Sequence, residues 1–347
     1  MDPAHQRRCP RQRHDLQPLH PGSPPRRDRG GPQDPGRAGR QRPGRVRRAG
    51  RAGEGRAARR RERAGRGQRL STAPRPEDAP FTERTPRVVA ARHLTRRPGR
   101  DRAGRFLAEG AQAVREALAW STAGRGRVHE LFVTAVAADR NPELVRAALD
   151  AGVPVSGVTD KAAAALSETV TPQGIVAVCD LVEVPLALTG ARLVAVLHGV
   201  ADPGNAGTVA RVADAAGADA VVFAGDTVDP HNGKCVRAST GSVFHLPISR
   251  SRSADEVFAA CRAAGLRLVA ADGYAEEDLV TADLRGDLEQ PTAWVFGSEA
   301  HGLPDEVVAT LDTSLKVPIY GGAESLNLAT AAAVCLYASA RAQRTSR

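Results

Sequence analysis

The sequence predicts an α/β protein: a parallel-sheet unit covered by helices on both faces, a smaller α/β unit before it, and a basic head that builds no core. Three observations carry this. From residue 192 onward, short apolar runs alternate with helical patterns, the order that lays strands side by side in one direction. Residues 86–182 hold a shorter set of the same kind. Residues 1–85 are dominated by Arg, Gly, Pro and Ala and carry no apolar period. At 347 residues the chain has room for two such units, each with a core.

The head comes first. The whole chain carries a formal charge of +10, which by itself suggests a nucleic-acid partner. Residues 1–70, however, hold 21 Lys and Arg against 6 Asp and Glu, a net of +15, which leaves −5 for residues 71–347. The basicity therefore belongs to the head and says little about the ordered units. With too few large apolar side chains to offset ordering entropy, residues 1–85 read as disordered. Two explanations stay open. One is an arginine-rich tail that folds on RNA. The other, preferred, is translation assigned upstream of a true start near Leu70, since a GC-rich reading frame gives this composition.

The small unit, residues 86–182, contains "GRFLAEGAQAVREALAW" (104–120), an apolar run continuing into a helix with Val114, Ala117 and Leu118 at helical spacing. "VHELFVTAVA" reads as a strand. "NPELVRAALDAG" reads as a helix with Asn141 at its cap, Pro142 at its first position and Gly152 beyond its end. "GIVAVCDLV" is a further strand, and the unit is expected to have its own core. Residues 183–191 read as a linker. The large unit, residues 192–345, then runs strand "RLVAVLHGV", helix "AGTVARVADAAGA", strand "AVVFAG", helix "ADEVFAACRAAG", strands "RLVAAD" and "TAWVFG", short helix "LPDEVVATL", strand "SLKVPIY", and a final helix over 327–343.

Several classes are excluded or made less probable. The five cysteines are scattered with no C-x-x-C or Cys/His spacing, which argues against a zinc site and fits a reducing compartment. No apolar run reaches bilayer-spanning length and no signal-peptide h-region opens the chain, so no membrane partner is expected and the location is read as cytoplasmic. There is no G-x-G-x-x-G, P-loop, nucleophile elbow or H-E-x-x-H.

Ligands of open parallel sheets bind beyond the carboxyl ends of the strands. Three such ends carry unusual loops: "ADPGNAGTVAR" after "VAVLHGV", "GSEAHGLPDE" after "AWVF", and "GGAESLN" after "KVPIY". Asn205, Arg211, Glu299, Ser325 and Asn327 are the polar residues expected to converge there. Each has a plain structural reading as well. Asn205 fits a turn or a helix cap, Arg211 a solvated helix face, Glu299 a helix-dipole partner, and Ser325 or Asn327 a cap for the last helix.

Taken together, "NAGTVAR" (205–211), "FGSEAHGL" (296–303) and "VPIYGGAESLNLATAAA" (317–333) are similar, in order, spacing and placement, to the three signature motifs of the SpoU-type (TrmH-like) RNA ribose 2′-O-methyltransferases of the SPOUT superfamily. "GKCVRASTGSVFHLPI" (233–248) and "GRFLAEGAQAVREAL" also resemble that family, so the resemblance covers residues 86–343 and none of the head. One departure stands out: where the family often has glycine after the motif-two glutamate, this chain has Ala300, which matters only if that backbone needs positive φ.

The resemblance implies a C-terminal trefoil-knotted parallel-sheet domain, behind a smaller ribosomal-protein-like α/β domain that binds substrate. It implies S-adenosyl-L-methionine as cofactor, framed by Gly297, Val317, Ile319 and Leu326, no metal, and a homodimer. The reaction would be methyl transfer to a ribose 2′-hydroxyl of RNA, with rRNA preferred over tRNA as partner. Arg211 would activate the hydroxyl, as base or as stabiliser of the developing alkoxide, with Asn205, Glu299, Ser325 and Asn327 positioning groups around it. With only 3% aromatic residues, few side chains can stack bases, so RNA would be read through shape, phosphates and 2′-OH groups. The arginine-rich run 91–105 is a candidate for that contact or a solvated lead-in. The rival readings are a tRNA enzyme of the same chemistry and a noncatalytic RNA-binding protein of the same fold.

Overall fold

The computed structural model describes residues 79–345. Both explanations offered for the basic head concern residues outside that range. Residues 79–85, expected in the head, belong instead to the ordered part: Phe81 forms a bridge with Val158 and packs onto the core formed by Val88, Leu107 and Phe132. A single aromatic with a burial partner was enough to extend the fold past the compositional boundary.

The small sheet is built from α1 (Pro86–Arg92), α2 (Arg97–Ala103), β1 (Arg105–Glu109), α3 (Ala111–Thr122), β2 (Val128–Val133), α4 (Ala135–Arg140), α5 (Pro142–Asp150), β3 (Val155–Gly157), α6 (Asp160–Ala165) and β4 (Ile175–Asp180). Its strand order is β1-β4-β2-β3, with β4 antiparallel to both neighbours and β2 parallel to β3. The strand read over "VHELFVTAVA" stops at Val133, because Thr134 Oγ1 accepts from Ala137 N (3.2 Å) and starts α4 there. Asn141 flanks α5 as expected, but its side chain does not cap that helix; Nδ2 donates back to Ala137 O (2.8 Å).

The large sheet comprises β5 (Leu193–His198), α7 (Pro203–Ala216), β6 (Ala220–Ala224), α8 (Gly233–Ser239), β7 (Ile248–Ser251), α9 (Ala254–Ala263), β8 (Arg267–Ala271), α10 (Leu279–Leu284), β9 (Thr292–Phe296), α11 (Asp305–Val308), β10 (Thr313–Leu315) and α12 (Leu328–Thr345). The order is β10-β8-β9-β5-β6-β7 and every pairing is parallel. Alternation along each strand splits the burial between two faces. Val194 and Val196 of β5 join Val257, Phe258 and Cys261 of α9 on one side. Ala195 and Leu197 join Val209 and Ala213 of α7 and Ala332 and Leu336 of α12 on the other. Trp294 anchors α12 there, its Nε1 donating to the buried Ser339 Oγ (2.9 Å). No helix among the described residues is long and apolar enough to cross a membrane.

The expected linker is not a free tether. Val184 N donates to Ile248 O (2.8 Å), extending the β7 edge, and Leu188 is buried in the α9-side core. The expected strand "SLKVPIY" keeps ladder bonds only as far as the bridge at Lys316, so its last residues lie outside the sheet.

The small unit also shares its core. One face has the separate cluster around Leu107 and Phe132, but the other is continuous with the large unit: Phe244, just after α8, stacks on Phe106 of β1 (5.8 Å) and meets Trp120 of α3 (5.6 Å). At the same junction Arg100, from the basic run 91–105, is buried and bonds Asp229 Oδ2 through Nε (2.9 Å) and Nη2 (2.7 Å), with Nη1 on the carbonyls of Leu94 and Thr95. Arg100 is therefore a junction anchor and not a surface contact. His231 lies beside it, its Nε2 accepting from Val182 N (3.1 Å), which leaves Nδ1 to face Asp229 Oδ1 (3.3 Å) and Glu183 Oε1 (3.6 Å). These three could surround a cation, but the guanidiniums of Arg100 and Arg250 already provide the positive charge.

Candidate active site

Strand order reverses at β5 and β9: the chain leaves β5 toward β6 and β7, while β8, β9 and β10 lie on the other side. The carboxyl ends of those two adjacent strands open the crevice where α/β sheets hold ligands. Two of the three unusual loops start there, and the third is tied to them.

After β5, Asp202 caps α7. Its Oδ2 accepts from Asn205 N (2.9 Å) and its Oδ1 from Lys234 Nζ (2.5 Å), and Pro203 fills the first helical position where no N–H is needed. The Lys234 bond holds the Asp202 carboxyl below its ordinary value. The cap points the Asn205 side chain across the crevice, where Nδ2 donates to Glu299 Oε1 (3.0 Å).

After β9, residues 297–303 fold back tightly. Ser298 and Gly302 exchange both backbone bonds (2.9 Å each). A Cβ at Gly297 would lie 2.2 Å from the Gly302 carbonyl carbon, so only glycine fits. The positive φ of this loop falls on Gly302 (+69°) and not on Ala300, so the alanine substitution is accommodated. The fold-back carries Glu299 to the β5 loop, where it also accepts from Ala201 N and Asp202 N (3.2 Å each). Partial burial opposes ionisation of Glu299, but the Asn205 amide and these backbone donors outweigh it and hold its carboxyl below the ordinary value.

Before α12, Asn327 does two things at once. Its Oδ1 caps the helix by accepting from Ala329 N (2.9 Å) and Thr330 N (3.3 Å), and its Nδ2 donates to Asn205 Oδ1 (3.0 Å). A cap alone is worth about 1 kcal/mol. A serine could supply that, but the second bond uses a donor nitrogen on a different atom from the capping oxygen, which an amide has and a hydroxyl does not. Glu299, Asn205 and Asn327 thus form one line of hydrogen bonds joining all three loops.

The remaining candidates fall into three groups. Arg211 lies further along α7, exposed, and its Nη1 donates to Thr240 Oγ1 (3.3 Å), not to the three-residue line. Ser325 is exposed and makes no hydrogen bond among the described residues. Val317 is half-buried against the core, while Ile319 and Leu326 are 38% and 37% exposed. Residues 317–326 form no backbone hydrogen bonds among the described residues, so their C=O groups and, Pro318 apart, their N–H groups are available beside apolar side chains. That donor set suits a purine-bearing cofactor, which needs apolar cover for its ring and backbone groups for its edge. The residues named in the sequence motifs omitted Asp202, Lys234 and Thr240; Asp-Pro before a helix was a readable cap signal for the first.

Known proteins place this geometry among relatives. Residues 192–337 match the SpoU rRNA Methylase family and residues 85–177 the MRM3-like substrate binding domain. The chain is 35% identical over 241 residues to the 23S rRNA (guanosine(2553)-2′-O)-methyltransferase RlmP of Bacillus subtilis, covering 69% of this chain and 89% of that one. It superposes on the SpoU methyltransferase AviRb of Streptomyces viridochromogenes in complex with AdoMet with a TM-score of 0.63, at 31% identity, covering 76% of this chain and all of that one. The AdoMet-bound rRNA methyltransferase of Sinorhizobium meliloti aligns with a TM-score of 0.62 at 29% identity, over 74% of this chain and 95% of that one.

Proposed function

The chain belongs to the SpoU rRNA methylase family, and from that premise we propose that it transfers a methyl group from S-adenosyl-L-methionine to a ribose 2′-hydroxyl of ribosomal RNA. The observation that carries this reading is the Glu299–Asn205–Asn327 line, which gathers all three signature loops at the strand reversal. Ribosomal RNA is preferred over tRNA because two of the relatives just described are named for rRNA and are matched across most of their length. A cytoplasmic location accompanies that substrate.

Gly297, Val317, Ile319 and Leu326 are assigned to the cofactor: Gly297 by making the fold-back possible, the other three by apolar cover. When bound, S-adenosyl-L-methionine supplies an electrophilic methyl group on a sulfonium that departs as a neutral thioether, so no metal is required. The chain's own task is to help a weak nucleophile lose its proton. Guanidinium stays protonated in proteins, so Arg211 acts as a donor, stabilising the developing alkoxide and holding the neighbouring phosphate, while the hydroxyl proton passes to solvent water. Arg211 is exposed, and its Nη1 bond to Thr240 is the one hydrogen bond of its guanidinium among the described residues. Glu299, held ionised, fixes Asn205 and the backbone of the β5 loop, and Ser325 and Asn327 complete the wall against which the ribose is oriented.

The domain assignment belongs to the same proposal: residues 86–182 dock RNA and residues 192–345 carry the chemistry. Arg92, Arg96, Arg102 and Arg105 are exposed and unpaired with any carboxylate among the described residues, which supports phosphate contact by the basic run once Arg100 is removed from it. So do the trefoil knot, formed by passage of the chain between β9 and α12, and a homodimer, for which Val334 and Tyr337 give α12 an exposed apolar stripe.

The test is incubation of the purified protein with methyl-labelled S-adenosyl-L-methionine and separate pools of unmodified rRNA and tRNA, followed by mapping of ribose methylation. Label fixed as 2′-O-methyl in rRNA is expected. Label in tRNA alone would move the substrate. Cofactor binding with no transfer to either pool would replace the enzyme by an RNA-binding protein of the same fold.

A further inference from the structure

Thr240 is the only described non-glycine residue with positive φ (+53°, ψ 32°). A β-branched side chain in the left-handed region is disfavoured, and glycine or asparagine would fit that backbone at lower cost. The turn itself is imposed from both sides. Gly207 lets α7 lie so close to α8 that a Cβ there would be 2.2 Å from Cys235 O. Gly241, at φ +98°, presses against α3, where a Cβ would be 2.4 Å from Glu116 Cγ. Helix α8 is further tied by Lys234 to Asp202 (2.5 Å) and by Arg237 to the buried Glu109 (2.8 Å). Its carboxyl end therefore has one path, and the strained conformation persists because its surroundings determine it.

What threonine adds at that position is a hydroxyl. Oγ1 lies 3.5 Å from Ala238 O, to which it donates, and accepts from Arg211 Nη1 at 3.3 Å. No other hydrogen bond to the Arg211 guanidinium occurs among the described residues. An exposed arginine with no fixed partner samples many rotamers, and each one off target lowers the fraction of time the fork faces the reacting oxygen. We infer that Thr240 is a positioning residue: it spends backbone strain to hold the Arg211 guanidinium in the orientation that meets the ribose. The inference rests on the role proposed for Arg211.

The test compares Thr240→Gly and Thr240→Ser with wild type and Arg211→Ala, measuring kcat, cofactor affinity and melting temperature. Thr240→Gly relieves the backbone and removes the hydroxyl. It is expected to melt at the same or a higher temperature and to bind S-adenosyl-L-methionine unchanged. Its kcat is expected to fall roughly tenfold, the scale of one hydrogen bond to a charged group. Thr240→Ser keeps the oxygen and is expected to recover kcat to within about threefold of wild type on the same argument. Wild-type kcat in Thr240→Gly, with Arg211→Ala inactive, would overturn the positioning role alone. A kcat loss that serine does not recover and that tracks a fall in melting temperature would also overturn it. Wild-type kcat in Arg211→Ala would bring down the underlying assignment instead.

Discussion

Two polar clusters in this protein use similar chemistry and are finished differently. At the junction of the sheets, Arg100 and Asp229 are nearly fully buried, and the guanidinium is bonded to a carboxylate and two carbonyls. At the strand reversal, Glu299, Asn205 and Asn327 are bonded to one another yet stay open to solvent, beside backbone groups that bond nothing among the described residues. The first cluster has used its capacity on holding the fold. The second is fixed in orientation and keeps donors and acceptors to spare, which is the condition for binding something else.

The largest expected effect tests the junction. Arg100→Ala strands a buried carboxylate and should cost about 3–5 kcal/mol of stability, measured by denaturant unfolding. The pH dependence has a definite sign. Burial opposes ionisation of Asp229, but the His231 hydrogen bond and the Arg100 charge outweigh it and hold the carboxyl far below its usual range. Stability from this pair is therefore complete above the unfolded carboxyl value of about 4 and lost as pH falls through the folded one. An Asp229→Asn protein should show a flatter acid limb.

Next comes the rim. Arg211→Ala should lower the transfer rate by roughly 10²–10³, the usual loss for one preorganised donor, with cofactor affinity unchanged. Glu299→Gln keeps the shape and removes the charge, so kcat should fall roughly tenfold while the melting temperature hardly moves. A large drop in melting temperature would make Glu299 a structural brace like Asp229.

The smallest effect concerns a bridge between the small and large units. His245 bridges Glu116 of α3 (3.0 Å) and Asp214 of α7 (2.7 Å). Burial opposes its protonation, but the two carboxylates outweigh that and raise its pKa. Its stabilisation is full below about pH 6.5 and is lost as pH rises through the folded value. His245→Gln should flatten the slope of melting temperature above pH 6.5, and an unchanged slope would remove His245 as its source.

Much of this was readable in the sequence where the signal was local. Alternating apolar runs gave the parallel strands of the large sheet. Of the caps, Asn327 was read before α12 and does cap it, whereas the Asn141 side chain does not cap α5 and the Asp202 cap went unread. The glycine-bearing loops at strand ends gave Asn205, Glu299 and Asn327, which the structure joins. What escaped depends on contacts between distant segments. Arg100 read as one more surface arginine because Asp229 lies far along the chain. Helix α8 has too short a pattern to register, and Thr240's backbone conformation is set by α3 and α7 pressing on either side of it. Phe81 lay beyond a compositional boundary that does not mark the edge of packing.

The contrast between the two clusters is tested most directly by measuring single-turnover methyl transfer and unfolding free energy on Arg211→Ala and Arg100→Ala together. The account predicts that Arg211→Ala unfolds like wild type, binds S-adenosyl-L-methionine normally and has lost nearly all transfer. It predicts that Arg100→Ala is several kcal/mol less stable yet transfers at close to the wild-type rate per folded molecule. Equal loss of cofactor binding and transfer in Arg211→Ala, or a transfer defect confined to Arg100→Ala, would contradict it.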